Sequence, residues 1–413
     1  MNKTIAILST LDTKGAEVNY LKDEINRLGG QAILIDIGVI GDSPQGTDFT
    51  NTMVASAGGV TLGKLRINPN RTDASAVMVR GATYIVEDLI SRQQIHSIIC
   101  MGGTQGTNNT ARVLQTLPYG FPKIIISTLA SGDTSSYVGI KDITMMFSVG
   151  DILGLNPLLR QILSNAAGAA WGMALCWRPQ GIVDQQNSRP MIAMTNLGVL
   201  TQGAMRAIAE FDALGYETIV FHAVGAGGQA MEQLVKDGLV SGVFDYGLGD
   251  IADAVYGGLR AANEERLRVT SRLGIPQVVT PGGIDHLGIQ LTHPDTVPEK
   301  YRHHRYSYHN PYILVPRPNK EETCKIVAEI AGRLAEAREN TLFLMPLRGV
   351  SCYSAQGGEL YDQQADEQLL TAIRDLLPKQ IRYVEIDANA EDPAFIHEAV
   401  TQLHTMIQQG TER

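Results

Sequence analysis

The run Ser97-Ile98-Ile99-Cys100-Met101-Gly102-Gly103-Thr104-Gln105-Gly106-Thr107-Asn108-Asn109-Thr110 constrains this chain more than any other feature. An apolar stretch of strand length empties into a glycine-rich turn and then opens a helix, so the local unit must be β-turn-α. The glycines let backbone approach a ligand closely, and the first N–H groups of the following helix have no partner within the helix. Such a turn makes an anion site with phosphate as its predicted guest, the alternative being a tight strand-to-helix connection whose glycines serve packing only. It is not a P-loop, because no Gly-Lys-Ser/Thr follows. Nor is it the dinucleotide fingerprint, because the glycine spacing differs.

The same grammar recurs along the chain. Thr4 to Leu8 is predicted as a strand, Ala16 to Leu28 as a helix closed by Gly29-Gly30, and Ala32 to Ile37 as a second strand. A long polar segment then runs to about Asn70, a length that predicts a lid or binding loop. Thr72 to Gln94 has helical spacing, and Lys123 to Thr128 and Thr144 to Val149 read as further strands. The apolar run Asn156 to Trp177 reads as a buried helix or helix pair. After the polar, proline-flanked stretch Pro179 to Pro190 the pattern restarts: Met191 to Thr195, Ala204 to Leu214 and Glu217 to Phe221 repeat strand, helix, strand. The expectation is α/β, with two doubly wound, mainly parallel-sheet, Rossmann-like domains spanning residues 1–180 and 190–413.

Composition excludes several function classes. The 413 residues exceed one ordinary core. A net charge of −9 argues against a nonspecific nucleic-acid grip. No apolar run reaches the roughly 18 residues a membrane helix needs, no signal-peptide pattern opens the chain, and the four cysteines are widely spaced singles. These features predict a cytoplasmic protein with no membrane or nucleic-acid partner. A homodimer is the default assembly, with the glycine-rich helix Asn165 to Ala174 as its motive.

Three strand-end loops of the first half carry the candidate binding residues. Asp12, Thr13 and Lys14 follow the first strand: Lys14 is placed to neutralise phosphate and Asp12 to hold a metal or a hydroxyl, while helix capping is the alternative role. Gly102, Gly103, Thr104, Gly106 and Thr107 form the glycine turn. Ser127, Thr128, Ser131, Gly132 and Asp133 belong to a hydroxyl-rich loop after the next strand. In a parallel sheet such loops converge at one edge.

The second half repeats the motif in Phe221-His222-Ala223-Val224-Gly225-Ala226-Gly227-Gly228, with Glu232 a turn into the helix. His222, Glu232, Asp285 and His309 are the candidate catalytic residues there, around a small anionic metabolite. A structural histidine is the competing reading for His222. Five histidines between His286 and His309 lack any recognised metal-ligand motif, so no metal set is assigned. The loop Arg348 to Gly358 is expected to close over the same site.

These segments, together with Leu163 to Gly168, Pro281 to Asp285, His309-Asn310 and Leu347 to Ser351, resemble the ATP-binding domain family typified by the tomato tobamovirus-resistance protein. The resemblance covers nearly the whole chain. It implies a two-domain α/β protein with ATP, accompanied by magnesium, in the first half. The tomato protein's antiviral role is not carried over. The function expected is that of an intracellular ATP-binding protein with a second ligand site between its halves, acting as an ATP-dependent enzyme on a small anionic metabolite. The alternative is a noncatalytic, nucleotide-responsive module that engages a protein partner. A third class places lyase or hydrolase chemistry wholly in the histidine-rich second half.

Overall fold

The computed structural model describes residues 3–67, 70–179 and 189–411. Chain contacts divide it into two compact units, Met1–Gln186 and Asn187–Arg413. The polar stretch expected to mark the boundary lies, from 180 to 188, outside the described residues.

The first unit is built from β1 (Thr4–Ser9), α1 (Leu11–Arg27), β2 (Gln31–Asp36), α2 (Asn51–Ala57), α3 (Leu62–Ile67), α4 (Arg71–Ser91), β3 (Ser97–Gly102), α5 (Thr104–Leu114), β4 (Lys123–Ser127), α6 (Ser135–Val138), β5 (Ile143–Phe147) and α7 (Pro157–Cys176). Its five strands are all parallel, in the order β2-β1-β3-β4-β5. Side chains alternate across such a sheet, so each strand serves two cores. Ile5 and Ile7 of β1 pack with α1 and α7, while Ala6 and Leu8 pack with α4 and α5. Helices cover both faces, which makes the sheet doubly wound.

Two local readings need correction. The helix expected from Ala16 begins at Leu11, so Asp12, Thr13 and Lys14 lie in its first turn rather than in a loop. The segment expected as an extended lid contains the short helices α2 and α3. The run from Asn156 forms one helix, started by the Asn156 side chain accepting from Leu159 N at 2.9 Å, with Pro157 at its first position.

The second unit comprises β6 (Met191–Asn196), α8 (Thr201–Ala213), β7 (Glu217–His222), α9 (Ala226–Lys236), β8 (Gly242–Gly247), α10 (Gly249–Tyr256), α11 (Arg268–Leu273), β9 (Gln277–Gly282), β10 (Ile289–Gln290), β11 (Tyr306–Asn310), β12 (Ile313–Pro316), α12 (Lys320–Arg333), β13 (Thr341–Pro346), α13 (Gln363–Leu376), β14 (Arg382–Ile386) and α14 (Pro393–Thr411). Its main sheet is parallel throughout, in the order β14-β13-β9-β8-β6-β7. Read from β7, this is the first unit's order extended by one strand. The core over one face takes α8 and α14, and that over the other takes α10, α12 and α13. Between β9 and β13 sits a three-stranded antiparallel sheet, β10-β12-β11. The expected pair of doubly wound, parallel α/β units is therefore what the chain forms.

Candidate functional site

In the first unit the chain leaves β1 and β3 toward opposite faces, and the crevice outside the carboxyl ends of two such strands is where open α/β sheets take ligands. Ser9 Oγ donates to Met101 O at 2.9 Å and ties the two strand ends together. Asp36, buried at the end of β2, accepts from Leu11 N at 2.9 Å, Gly38 N at 2.8 Å and Ser43 Oγ at 2.6 Å. One carboxylate thus holds the start of α1 against the 36–43 turn.

Asp12 Oδ2 accepts from Gly41 N at 3.3 Å, and its other oxygen takes no hydrogen bond from the described residues. Thr13 is exposed, with its hydroxyl 3.0 Å from that of Thr10. Lys14 breaks the helical geometry of α1 (φ −124°, ψ 17°), and its ammonium donates to the Ile152 carbonyl. Glu17, one turn on, accepts from Gly154 N at 2.6 Å, so the loop after β5 is fastened to the first turns of α1.

At the glycine turn the structure separates roles that the sequence reading merged. A Cβ on Gly102 would fall 2.7 to 2.9 Å from backbone of Gly106 and Thr107, so this glycine serves close packing. Gly103 faces open space, with only Thr128 Oγ1 at 4.0 Å. No side chain caps α5, whose first amides stay available beside Thr104 and the glycine Gly106. Thr107 and Ser127 are buried, with their hydroxyls 2.7 Å apart, and Ser127 also accepts from Leu129 N at 3.0 Å. These two candidate ligand residues are spent holding β4 against α5, which corrects the expectation for them. Ser131, Gly132 and Asp133 are exposed. Asp133 accepts from Ser135 N at 2.9 Å, and hydrogen bonds to that residue hold its carboxyl below the usual range.

The second unit overturns the grouping of His222, Glu232, Asp285 and His309. His222 is exposed at the end of edge strand β7, with Nδ1 3.2 Å from Asn196 O. Asp285 follows β9, three strand spacings away, or about 14 Å at 4.8 Å each. His309 is exposed on the antiparallel hairpin. The glycines of the second motif are packing residues: a Cβ on Gly227 would sit 1.9 Å from the His222 carbonyl, one on Gly228 2.8 Å from Arg266, and one on Gly225 2.8 Å from Ala261 O.

Glu232 belongs instead to a buried ionic cluster. Arg266, fully buried, makes paired bonds to Asp245 at 2.5 Å each, donates to Asp250 at 2.9 Å, and lies 3.8 Å from Glu232. Glu232 accepts from Leu267 N at 2.7 Å, while its Oε2 and Asp250 Oδ1 are buried with no hydrogen-bond partner. Burial pushes the Glu232 carboxyl up to about 7, against the partial pull of Arg266. The folded chain then holds a proton that the unfolded chain releases above 4.5, so this group's contribution is full below that pH and is lost as pH rises through 7. Glu232→Gln keeps the acceptor for Leu267 and cannot ionise. We expect it to flatten the fall in stability between pH 5 and 8 and to be the more stable form at pH 8, by on the order of 1–3 kcal/mol. Urea midpoints at the two pH values test this, and a wild-type advantage at pH 8 would contradict it.

Asp285 anchors a second buried network. Burial opposes its ionisation, but hydrogen bonds from His286, Ser351 and Ser354 outweigh that and hold its carboxyl at about 2. His286 lies 2.9 Å from Asp285 through Nδ1 and accepts from Arg260 through Nε2 at 2.9 Å; burial and Arg260 together keep the imidazole neutral to lower pH than usual. Arg260 in turn pairs twice with Asp253, at 2.8 and 3.0 Å. Ser351 donates to Asp285 and not to the histidine, so this is no nucleophile triad. The described residues contain no group of three or more His, Cys, Asp or Glu side chains placed for a metal ion.

The residues that sequence reasoning missed are Asp36, Asp245, Asp250, Arg260 and Arg266. A carboxylate inside an apolar strand, as in Gln31–Asp36 and Gly242–Gly247, signals the first two. Arg266 carries no local signal, since its partners lie 16 to 34 residues away.

Fold and loops together define a doubly wound α/β protein of two units, each with strand-end loops along one sheet edge. The chain belongs to the uncharacterised protein family UPF0261, whose N-terminal domain matches residues 3–178 and whose C-terminal domain matches residues 189–407. A UPF0261 protein of Clostridium tetani is 38% identical over 99% of this chain and 100% of its own length. The ToMV resistance protein Tm-1(GCR237) of Solanum lycopersicum is 33% identical over 75% of this chain, a match that spans 41% of the plant protein. The solved structure of Acinetobacter baumannii MurG aligns over 98% of this chain and 100% of its own at 11% identity, with a TM-score of 0.23, too low to transfer a site. No helix among the described residues is long and apolar enough to cross a membrane.

Proposed function

We propose that the first unit binds ATP across the carboxyl ends of β1 and β3, with magnesium accompanying the triphosphate. The observation that carries this reading is the uncapped start of α5, opening at Gly103 beside the Thr128 hydroxyl at the point where the strand order reverses. The α5 amides and the hydroxyls of Thr104 and Thr128 suit phosphate oxygens. Lys14 keeps two donors beyond its bond to Ile152, and Asp12 keeps one oxygen for a metal or a ribose hydroxyl. Bound ATP and magnesium would supply an activated phosphoryl group; the chain's own residues hold and neutralise the polyphosphate. The resemblance in Asp12-Thr13-Lys14 and Gly102 to Thr107 supports the same ligand.

Gly103→Val tests the placement. Its new side chain enters open space, so the fold should survive while the branched group fills the phosphate position. We expect ATP affinity to fall at least about tenfold, or 1.4 kcal/mol, with an unchanged unfolding midpoint. Equal affinities by calorimetry would remove the assignment.

An ATP-dependent enzyme acting on a small metabolite is our first functional reading. ATP turnover alone or with a metabolite supports it, whereas binding without turnover across a metabolite panel supports the nucleotide-responsive module. We also propose a homodimer in which α7 meets its copy: Cβ atoms at Gly168 and Gly172 would face open space, and Leu158 and Leu175 of the same helix are exposed. Sedimentation equilibrium of the full chain checks this.

A further inference from the structure

The second unit contains a cavity of about 540 Å³ where β13 and β14 end, walled by residues 345–350, by Ala355, Gln356 and Tyr361, and by the first half of α13. Its volume falls in the range of small-molecule sites, and its position, outside the carboxyl ends of parallel strands, is the one such sheets use. The 590 Å³ depression in the first unit, lined by Thr4, Gln31, Asp48 and His96, lies at the opposite, amino-terminal edge of its sheet.

The cavity wall is over-determined in a way that packing alone does not require. Asn389 Nδ2 donates to three carbonyls of the wall, Arg348 O and Gly349 O at 3.0 Å and Ser351 O at 3.2 Å. Gly349 adopts φ +102°, and a Cβ there would fall 2.7 Å from Ser354 O, so the turn admits only glycine. Ser354 Oγ accepts from Val350 N at 3.0 Å, and Ser351 is bonded to buried Asp285. Two further bonds, Arg317 to Leu360 O and Arg305 to Tyr361 O, hold the rim.

The sign of the cavity is set by what remains uncommitted. The helix start at α13, an anion site elsewhere, is already answered by Asp362, which accepts from Ala365 N at 3.1 Å. Of the three arginines around it, Arg348 pairs with Asp387 at 2.7 and 2.6 Å and Arg317 with Asp366 at 2.5 Å, while Arg305 donates to Tyr361 O at the exposed rim. Among the described residues the Glu367 carboxylate accepts only from Gln363, at 3.2 Å, and that of Asp392 only from Asn389 N, at 2.7 Å, so each keeps one oxygen free of such bonds. Gln356 and Gln363 add amides suited to hydroxyl groups, and Tyr361 and Leu370 add apolar surface.

We infer that this cavity is a binding site for a small hydroxylated amine of the amino-sugar class, its ammonium between Glu367 and Asp392 and its hydroxyls on Gln356 and Gln363. The site is independent of the ATP reading, since it lies wholly in the other unit. It also replaces the anionic site expected at α9.

Three probes with one ring and three charges test it on the full chain: glucosamine, glucose and glucose 6-phosphate. Hydrogen exchange should show glucosamine slowing residues 347–361 and the first turns of α13, glucose doing so at least about tenfold more weakly, and glucose 6-phosphate not at all. Glu367→Gln with Asp392→Asn should weaken glucosamine at least about tenfold. Ala355→Trp, which fills the cavity, should abolish the protection with the circular dichroism spectrum unchanged. Protection by glucose 6-phosphate equal to that by glucosamine, protection outside these segments only, or none from any probe would overturn the assignment.

Discussion

Arg266→Met is expected to cost the second unit about 3–5 kcal/mol or more, the largest effect of any single substitution we anticipate. The guanidinium bonds Asp245 and Asp250 and lies 3.8 Å from Glu232, and all four side chains are buried. Methionine fills much of the volume but removes the paired charge from Asp245, Asp250 and Glu232, which must then take up protons or draw in water. Lysine keeps the charge but not the fork that reaches Asp245 with two bonds, so Arg266→Lys should fall in between. Breaking a buried ion set and replacing it are different experiments. Exchanging all four residues for apolar ones of similar volume should recover much of the loss, since the set as a whole repays little beyond its own desolvation. Both tryptophans, Trp171 and Trp177, belong to the first unit, so their fluorescence follows that unit while far-ultraviolet circular dichroism follows both. A circular dichroism midpoint for Arg266→Met equivalent to a loss under about 1 kcal/mol would show that the cluster does not hold the unit together.

Asp36→Ala should remove about 3–5 kcal/mol from the first unit and abolish ATP binding with it. Alanine leaves Leu11 N and Gly38 N without their acceptor, and each such buried donor costs on the order of 1–3 kcal/mol. Ser43 loses its acceptor as well, and through it the start of α2 at Asn51 loosens. Asp36→Asn keeps an oxygen for the two amides but offers a weaker, neutral acceptor, so it should retain most of the stability. Tryptophan fluorescence in urea and calorimetry with ATP together read both consequences. Full ATP affinity in a destabilised Asp36→Ala protein would detach the binding site from this turn.

Glu232→Gln, Gly103→Val and the amino-sugar series complete the expected results, and each isolates one element of the structure. What they share is dependence on groups that the linear chain shows only in part. The apolar runs of β1, β3, β4 and β6 are legible because parallel strands covered on both faces read as unbroken hydrophobic stretches. The helices are legible from their period and from the glycines that close them. The start of α1 was not: Thr10 offers no capping bond, and the acceptor that fixes Leu11 N is Asp36, 25 residues on.

Glycine was the most ambiguous signal. Gly103 and Gly225 both stand just before the helix in two similar motifs, yet one faces open space and the other lies against the Ala261 carbonyl. Composition cannot separate them, because a glycine that makes room for a ligand and one that makes room for the protein's own backbone have the same side chain. The hydroxyl-rich loops divide in the same way: Thr107 and Ser127 face each other inside, while Thr104 and Ser131 face out.

The sequence by itself determined the alternation of strand and helix, the parallel sheets that alternation requires, and the division into two similar units, because hydrophobic period and turn chemistry are local properties. Only the tertiary structure decided which polar residues are spent inside. Strand order brings β1 beside β3 and separates β7 from β9, so it joins the loops of the first unit and disperses His222, Asp285 and His309 in the second. Burial then turns Glu232 from a candidate catalytic residue into a partner of Arg266. Pairing between strands and the desolvation of charge both depend on residues far apart along the chain, and neither leaves a periodic trace in it.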